Sequence, residues 1–492
     1  MLFNSADFLI FFPIVVVIYF LIPEKFRYIW LLAASYYFYM QWNPAYGLLL
    51  LSSTLITYFG ARILERLDKE KPRKVCLCIA VILNLSLLVY FKYTGMLVGF
   101  ASKIFTAISH QSLNWEVNIL LPVGISFFTL QALGYLIDVY RGDIYPEHNI
   151  LRYALFISFF PQLVAGPIER SKNLLKQLAT PQKFSYENLR RGLLIMLYGF
   201  FLKVVVADRV SLFVDTIYND PYTYNGIYIF AATAGFVLQI YCDFYGYSTI
   251  AKGAALVMGI KLMDNFQAPY LSKSIGELWR RWHLSLSTWF RDYLYIPLGG
   301  NRKGTLRKYV NLIIIFAVSG LWHGAAISFM IWGFIQAVYQ IIGDYRRKLE
   351  KFISEKLGIA DKSQTIGNKL FANLITMTLF TFSLIFFRSN SLSYSKVVLK
   401  QLFSVNNWYV LFDGSLKNIG FSEHFIPILI ISVVLITLVD VAKYRGKDVV
   451  ESFFAQSWWV RMFAVVTLLL FVLSFGYYGS DMDAVQFIYF QF

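Results

Sequence analysis

The sequence predicts an all-α polytopic membrane protein, and three observations carry that prediction. Of its 492 residues, 58% are hydrophobic and 15% are charged, well short of the roughly 25% charged that soluble domains carry. Twelve apolar runs recur along the chain, most of them near the ~20 residues that cross a bilayer as a helix. Short basic clusters separate these runs and account for the formal charge of +16. In a membrane protein that excess marks cytoplasmic loops, not a nucleic-acid surface. Disorder, a collagen-like repeat and a small disulfide scaffold are excluded by the same arithmetic. The 46 Phe, 34 Tyr and 11 Trp suit packed spans and interfacial belts.

Taken in order, the runs lie at 8–22, 28–40, 46–60, 75–92, 118–140, 191–216, 226–250, 309–321, 325–343, 371–388, 425–442 and 458–478. Together they predict about 11–12 transmembrane helices in a single integral-membrane domain, 1–492. The first run follows Met1-Leu2-Phe3-Asn4 with no basic segment and no cleavage site, so it reads as a retained span. Five basic clusters, at 62–74, 170–191, 273–308, 346–369 and 443–447, set the orientation. Placing all five in the cytoplasm requires an even number of crossings between neighbours and puts both termini outside. Its cost is that Lys396, Lys400 and Lys417 then lie outside as well.

Three stretches fit a simple span badly. The run 151–166 is interrupted by Pro161 and Gly166, and 275–299 mixes aromatic residues with Glu277, Arg280, Arg281, His283, Arg291 and Asp292. The apolar run from 309 to 320 is about 18 Å long as a helix, too short for a crossing. Charged or broken backbone at membrane depth is tolerated only against protein or a water-filled cavity. Re-entrant or interfacial helices around a central polar cavity are therefore expected.

The chemistry-bearing residues are few. Of five histidines, His110, His148 and His424 lie in polar connections and read as ordinary surface residues. His323 lies between apolar runs, flanked by Trp322 and Gly324. A desolvated imidazole stays neutral and suits a general base, although a satisfied core histidine has the same setting. His283 closes Trp279-Arg280-Arg281-Trp282-His283, either as part of an interfacial helix or beside a phosphate-binding site formed by Arg280, Arg281 and Arg291. The Gly299-Gly300 turn offers backbone amides to the same anion. Asp243 is a carboxylate in an apolar helix, a structural anchor or a functional group. Cys76, Cys78 and Cys242 form neither a disulfide framework nor a zinc pattern, and no His/carboxylate spacing makes a metal site. No P-loop, zinc-protease or hydrolase-elbow motif occurs.

Read together, the motifs resemble those of the membrane-bound O-acyltransferase family. The run Asp243-Phe244-Tyr245-Gly246-Tyr247-Ser248 is followed by Asn265-Phe266, Pro269-Tyr270 and Trp279-Arg280-Arg281-Trp282-His283. Arg291-Asp292-Tyr293-Leu294-Tyr295-Ile296-Pro297-Leu298-Gly299-Gly300 and Leu321-Trp322-His323-Gly324 complete the order. Upstream, Pro122-Val123-Gly124-Ile125-Ser126-Phe127 and Gln162-Leu163-Val164-Ala165-Gly166-Pro167-Ile168 resemble the alginate and peptidoglycan O-acetylation branch in particular. The resemblance implies that His323 is the essential histidine, with His283 in the place of a second. It also implies a cytoplasmic acetyl-CoA donor as substrate, with no separate cofactor and with Trp279, Trp322 and Asp243 joining the arginines as binding residues.

It further implies a bacterial cytoplasmic membrane, contact with membrane lipid but not nucleic acid, and an extracytoplasmic SGNH-type partner that completes transfer to a polysaccharide. The C-terminal tail, 481–492, ends Phe487-Ile488-Tyr489-Phe490-Gln491-Phe492. It is expected outside, as an aromatic anchor or, through Tyr489, as an acyl carrier like the tyrosine-bearing tail of this branch. Two alternatives stay in view, D-alanyl transfer to teichoic acid and a transporter of polysaccharide or lipid-linked glycan. A transporter would predict inverted repeats, and none is evident.

Overall fold

The structure, a computed structural model, describes residues 1–109, 119–358, 365–389, 391–419, 425–478 and 487–488, and every regular element among them is helical. Eight helices among the described residues are long and apolar enough to cross a membrane: Pro44–Arg66, Glu70–Ser109, Ile227–Val257, Gly304–His323, Ile327–Leu357, Ile366–Arg388, Phe425–Tyr444 and Trp458–Phe475. A shorter apolar helix, Ala6–Leu21, precedes them. The remaining expected spans are realised as shorter or composite pieces. Residues 191–216 fall within a continuous helical stretch made of Tyr186–Phe200, the π-helical Phe201–Ala207 and Asp208–Asn219. The run that looked too short grows to Gly304–His323, 20 residues and so about 30 Å. Its polar start, Thr305 to Lys308, is helical too, and Lys and Arg there extend their charged ends away from hydrocarbon.

The chain folds as two compact units, 1–196 with 248–263, and 197–247 with 264–492. In the first, small and polar side chains draw the helices together. A Cβ on Gly60 would lie 3.1 Å from that of Ala80 and 3.3 Å from Leu136 Cδ1, so three helices meet there. Asn84 Nδ2 donates to Ser53 Oγ at 3.0 Å, and Thr57 pairs with the Tyr153 hydroxyl at 2.7 Å. Such interhelical bonds replace the hydrophobic drive that lipid cannot supply. The 151–166 run is broken, as its Pro161 and Gly166 require, into Ile150–Ser158 and Phe160–Leu163. Its freed backbone groups find buried partners: Gln131 and Gln162 both donate to the Phe156 carbonyl, and the Phe160 amide donates to Ser35 Oγ.

In the second unit a helical hairpin, Gly304–His323 with Ile327–Leu357, dominates. At Gly320 a Cβ would lie 2.3 Å from the Phe329 carbonyl oxygen, and at Gly333 one would lie 2.1 Å from that of Phe316. The two backbones therefore touch, as small residues at a helix crossing allow. The 275–299 stretch is broken as well, into Ile275–Trp279, Leu284–Phe290 and a π-helical turn at Arg291–Tyr295.

Candidate active site

The hairpin fixes His323. The histidine ends its helix, and Gly324 turns the chain back where a Cβ would fall 2.1 Å from the Phe329 ring. A side chain at 324 would displace the Phe329 ring, so packing favours glycine after His323. The His323 ring is 3% exposed and is held edge-on by Trp322, Trp332 and Phe387, at centroid distances of 4.9, 5.2 and 5.3 Å.

His283 comes to the same aromatic cluster from the broken stretch. It caps Leu284–Phe290 in the left-handed region at φ +45°, unusual for a residue with a side chain. Asn265 secures this conformation, its carbonyl and side-chain oxygens accepting from the amides of Leu284 and Ser285. The imidazole is fully buried, perpendicular to Phe244 at 4.6 Å and 5.8 Å from the Trp322 ring. Burial pushes its pKa from the ordinary 6.5 down to about 3, so the ring is neutral at cellular pH. Trp322 thus touches both imidazoles.

Beside this cluster lies a cavity of about 580 Å³ whose walls include Trp279, Arg280, Arg291, Lys308, Asp344 and Arg347. Four cations against one carboxylate give it a net positive lining. Asp344 is itself engaged by Lys308 at 2.9 Å. Trp279 joins the cavity to the histidines. Its ring packs on Trp332 at 5.7 Å, and Trp332 packs on His323. The Trp279 indole donates to Gln336, which donates to Ser383, locking the wall in place.

The expected residues therefore divide. His323, His283 and Trp322 form one cluster, while Trp279, Arg280 and Arg291 line the cavity. Arg281 lies elsewhere, bonded to Glu277 at 3.0 Å and stacked on Tyr444. The Gly299 and Gly300 amides donate to the Ile296 and Tyr295 carbonyls, so the turn spends its donors internally. Asp243 sits in a separate buried cluster, 2.7 Å from Lys203, which is also 2.7 Å from Asp208. His148 is exposed and pairs with Glu65. His110, His424 and Tyr489 lie outside the described residues. Sequence reasoning missed Arg347, Asp344 and Lys203. Only Lys203 carried a local signal, as a lone cation in an apolar run.

The family model for the membrane-bound O-acyltransferase family matches residues 144–386, which contain both histidines and the cavity. A probable alginate O-acetylase of Pseudomonas aeruginosa is 36% identical over 83% of this chain and 76% of its own length. A peptidoglycan O-acetyltransferase of Helicobacter pylori is 34% identical over 82% of this chain and 80% of its own. A teichoic acid D-alanyltransferase of Bacillus subtilis is 29% identical over 51% of this chain and 66% of its own.

Proposed function

The chain belongs to the membrane-bound O-acyltransferase family, and from that premise we propose that it carries acetyl groups from acetyl-CoA to an exported polysaccharide. The observation that carries this reading is the shared aromatic wall between a cation-lined cavity and two buried imidazoles. Guanidinium and ammonium groups there suit the phosphates of CoA. The thioester end then approaches His323 along Trp279 and Trp332. His323 takes the proton of an acceptor hydroxyl as that oxygen attacks the thioester carbonyl. The tetrahedral intermediate collapses, the C–S bond breaks, and the CoA thiolate recovers the proton from the imidazolium. His283, neutral and wedged between Phe244 and Trp322, positions the cluster.

The first acceptor in this reading is the Tyr489 phenol, whose ordinary pKa near 10 makes a base necessary. A separate extracytoplasmic SGNH-type partner collects the acetyl ester and passes it to the saccharide. The membrane is the bacterial cytoplasmic membrane, with both termini outside. The cavity's cations belong to basic stretches that the positive-inside rule assigns to the cytoplasm, where acetyl-CoA is made. Acetyl is preferred to D-alanyl because the relatives named as O-acetyl enzymes match more of the chain at higher identity.

Purified protein in vesicles, given labelled acetyl-CoA, is expected to acquire label on its C-terminal peptide, read by mass spectrometry. Tyr489→Phe keeps the ring and loses the hydroxyl, so it should lose the label and transfer. A fully active Tyr489→Phe variant would refute the carrier role.

A further inference from the structure

The second unit holds a buried ionic cluster away from the cavity. Lys203, 1% exposed, lies in the π-helical segment Phe201–Ala207 and bonds Asp208 and Asp243 at 2.7 Å each. π-Helical turns recur at functional sites. One lysine with two carboxylates leaves a formal excess of one negative charge in surroundings that solvate it poorly. The helices that carry the cluster are held at backbone distance, since a Cβ on Gly246 would lie 2.9 Å from the Gly199 carbonyl oxygen and 3.0 Å from the Lys203 amide. The cluster is thus a fixed acceptor site.

What fills it is the end of the chain. The Ile488 amide donates to the second carboxylate oxygen of Asp243 at 2.8 Å, in a fully buried bond. Phe487 is 0% exposed and packs on Tyr247 at 4.9 Å and on Phe244 at 5.7 Å, while Ile488 is 1% exposed. Phe244 is also the ring that stands against His283. The chain already touches the π-helical segment at the end of its last long helix, where the Tyr477 amide donates to the Val204 carbonyl at 2.8 Å.

We propose that Lys203 and Asp243 form a dock for the C-terminal tail. Asp243 captures the Ile488 amide, Phe487 seats between Tyr247 and Phe244, and the chain end is thereby presented at the two-histidine cluster. Asp243 is then a positioning residue for transfer, acting through the tail. Without the tail, a buried carboxylate oxygen would lose its donor, and charged acceptors are costly to leave unmet. The use of the dock rests on the reading of Tyr489, the next residue, as the acyl carrier. The dock itself rests on Phe487 and Ile488.

Deuterium exchange on the full-length protein in detergent tests it. In the wild type the Ile488 amide should exchange at least about tenfold more slowly than in an unstructured end. Asp243→Ala should make it fast while the amides of Gly304–His323 stay protected. Equal protection of Ile488 in Asp243→Ala would overturn the dock. Because that variant also strips a partner from Lys203 and risks misfolding, Ile488→Pro gives a second cut. It removes the donated N–H, and Ile488→Ala, which keeps that N–H and loses the same buried side chain, serves as its control. Label on the terminal peptide of Ile488→Pro should then accumulate about tenfold more slowly or worse, with the melting temperature unchanged. An Ile488→Pro variant labelled at the wild-type rate would overturn presentation. The two readings fail separately. An active Tyr489→Phe enzyme with a slow Ile488 amide ends the carrier role and keeps the dock, whereas a fast Ile488 amide in the wild type ends the dock whatever Tyr489 does.

Discussion

Two stretches of this chain break their helices among buried side chains, and they meet the exposed backbone with opposite materials. The break after Ser158 is closed by neutral groups: Gln131 and Gln162 cover the Phe156 carbonyl and Ser35 covers the Phe160 amide. The break between Trp279 and Tyr295 is instead built around a buried imidazole at positive φ, with Arg280 and Arg291 facing a cavity. Interruption by itself is scaffolding when its donors and acceptors are spent inside. The second break instead turns charged side chains, Arg280 and the Asp292-paired Arg291, to the wall of a cavity.

That contrast can be broken by substitution. The largest effect is expected from His323→Ala, which should lower acyl transfer by about 10²–10⁴-fold, the usual loss of a general base, with a melting temperature near wild type. Normal transfer in that variant would remove the hairpin corner from the chemistry. Next, Arg280→Ala should raise the KM for acetyl-CoA by about three- to tenfold, as loss of one phosphate-facing guanidinium would. Its kcat should change less. Gln162→Leu should do the reverse, lowering stability by about 1–3 kcal/mol through an unmet buried partner and leaving KM alone. A raised KM there, measured in the same assay, would erase the distinction between the two breaks.

The smallest effect is a slope with pH. His283 titrates near 3 when folded and near 6.5 when unfolded, so the unfolded chain takes up its proton first as pH falls. The stability this burial permits is complete above about 6.5 and declines toward 3. Thermal unfolding in detergent from pH 7 to 5 should therefore fall more steeply for wild type than for His283→Asn. Parallel curves would show that the imidazole is not desolvated.

Much of this was legible in the sequence. Charges inside 275–299 announced a break with polar business, and Leu321-Trp322-His323-Gly324 singled out His323 without revealing that it ends a 20-residue helix. Pro161 and Gly166 announced the other break. The cavity's far wall was not legible. Lys308 and Asp344 stand 15 residues before His323 and 17 after Ile327, and only an antiparallel hairpin brings them together. The partners of Lys203 were equally hidden. Asp243 lies 40 residues downstream, and its contact depends on a helix crossing that no local pattern encodes. Arg281 erred in the other direction, since adjacency to Arg280 says nothing about direction. Both lie in the turn after Ile275–Trp279, where Arg280 faces the cavity and Arg281 turns to Tyr444.

The touching backbones at Gly320 and Gly333 have a mechanical consequence. Two helices whose carbonyls occupy the space of each other's missing side chains cannot ratchet by a turn or roll past one another without collision. A machine that carries cargo by rocking repeats needs just such sliding surfaces. Here the hairpin whose first helix ends in His323 is interlocked along its own seam, so the imidazole is held at a fixed corner.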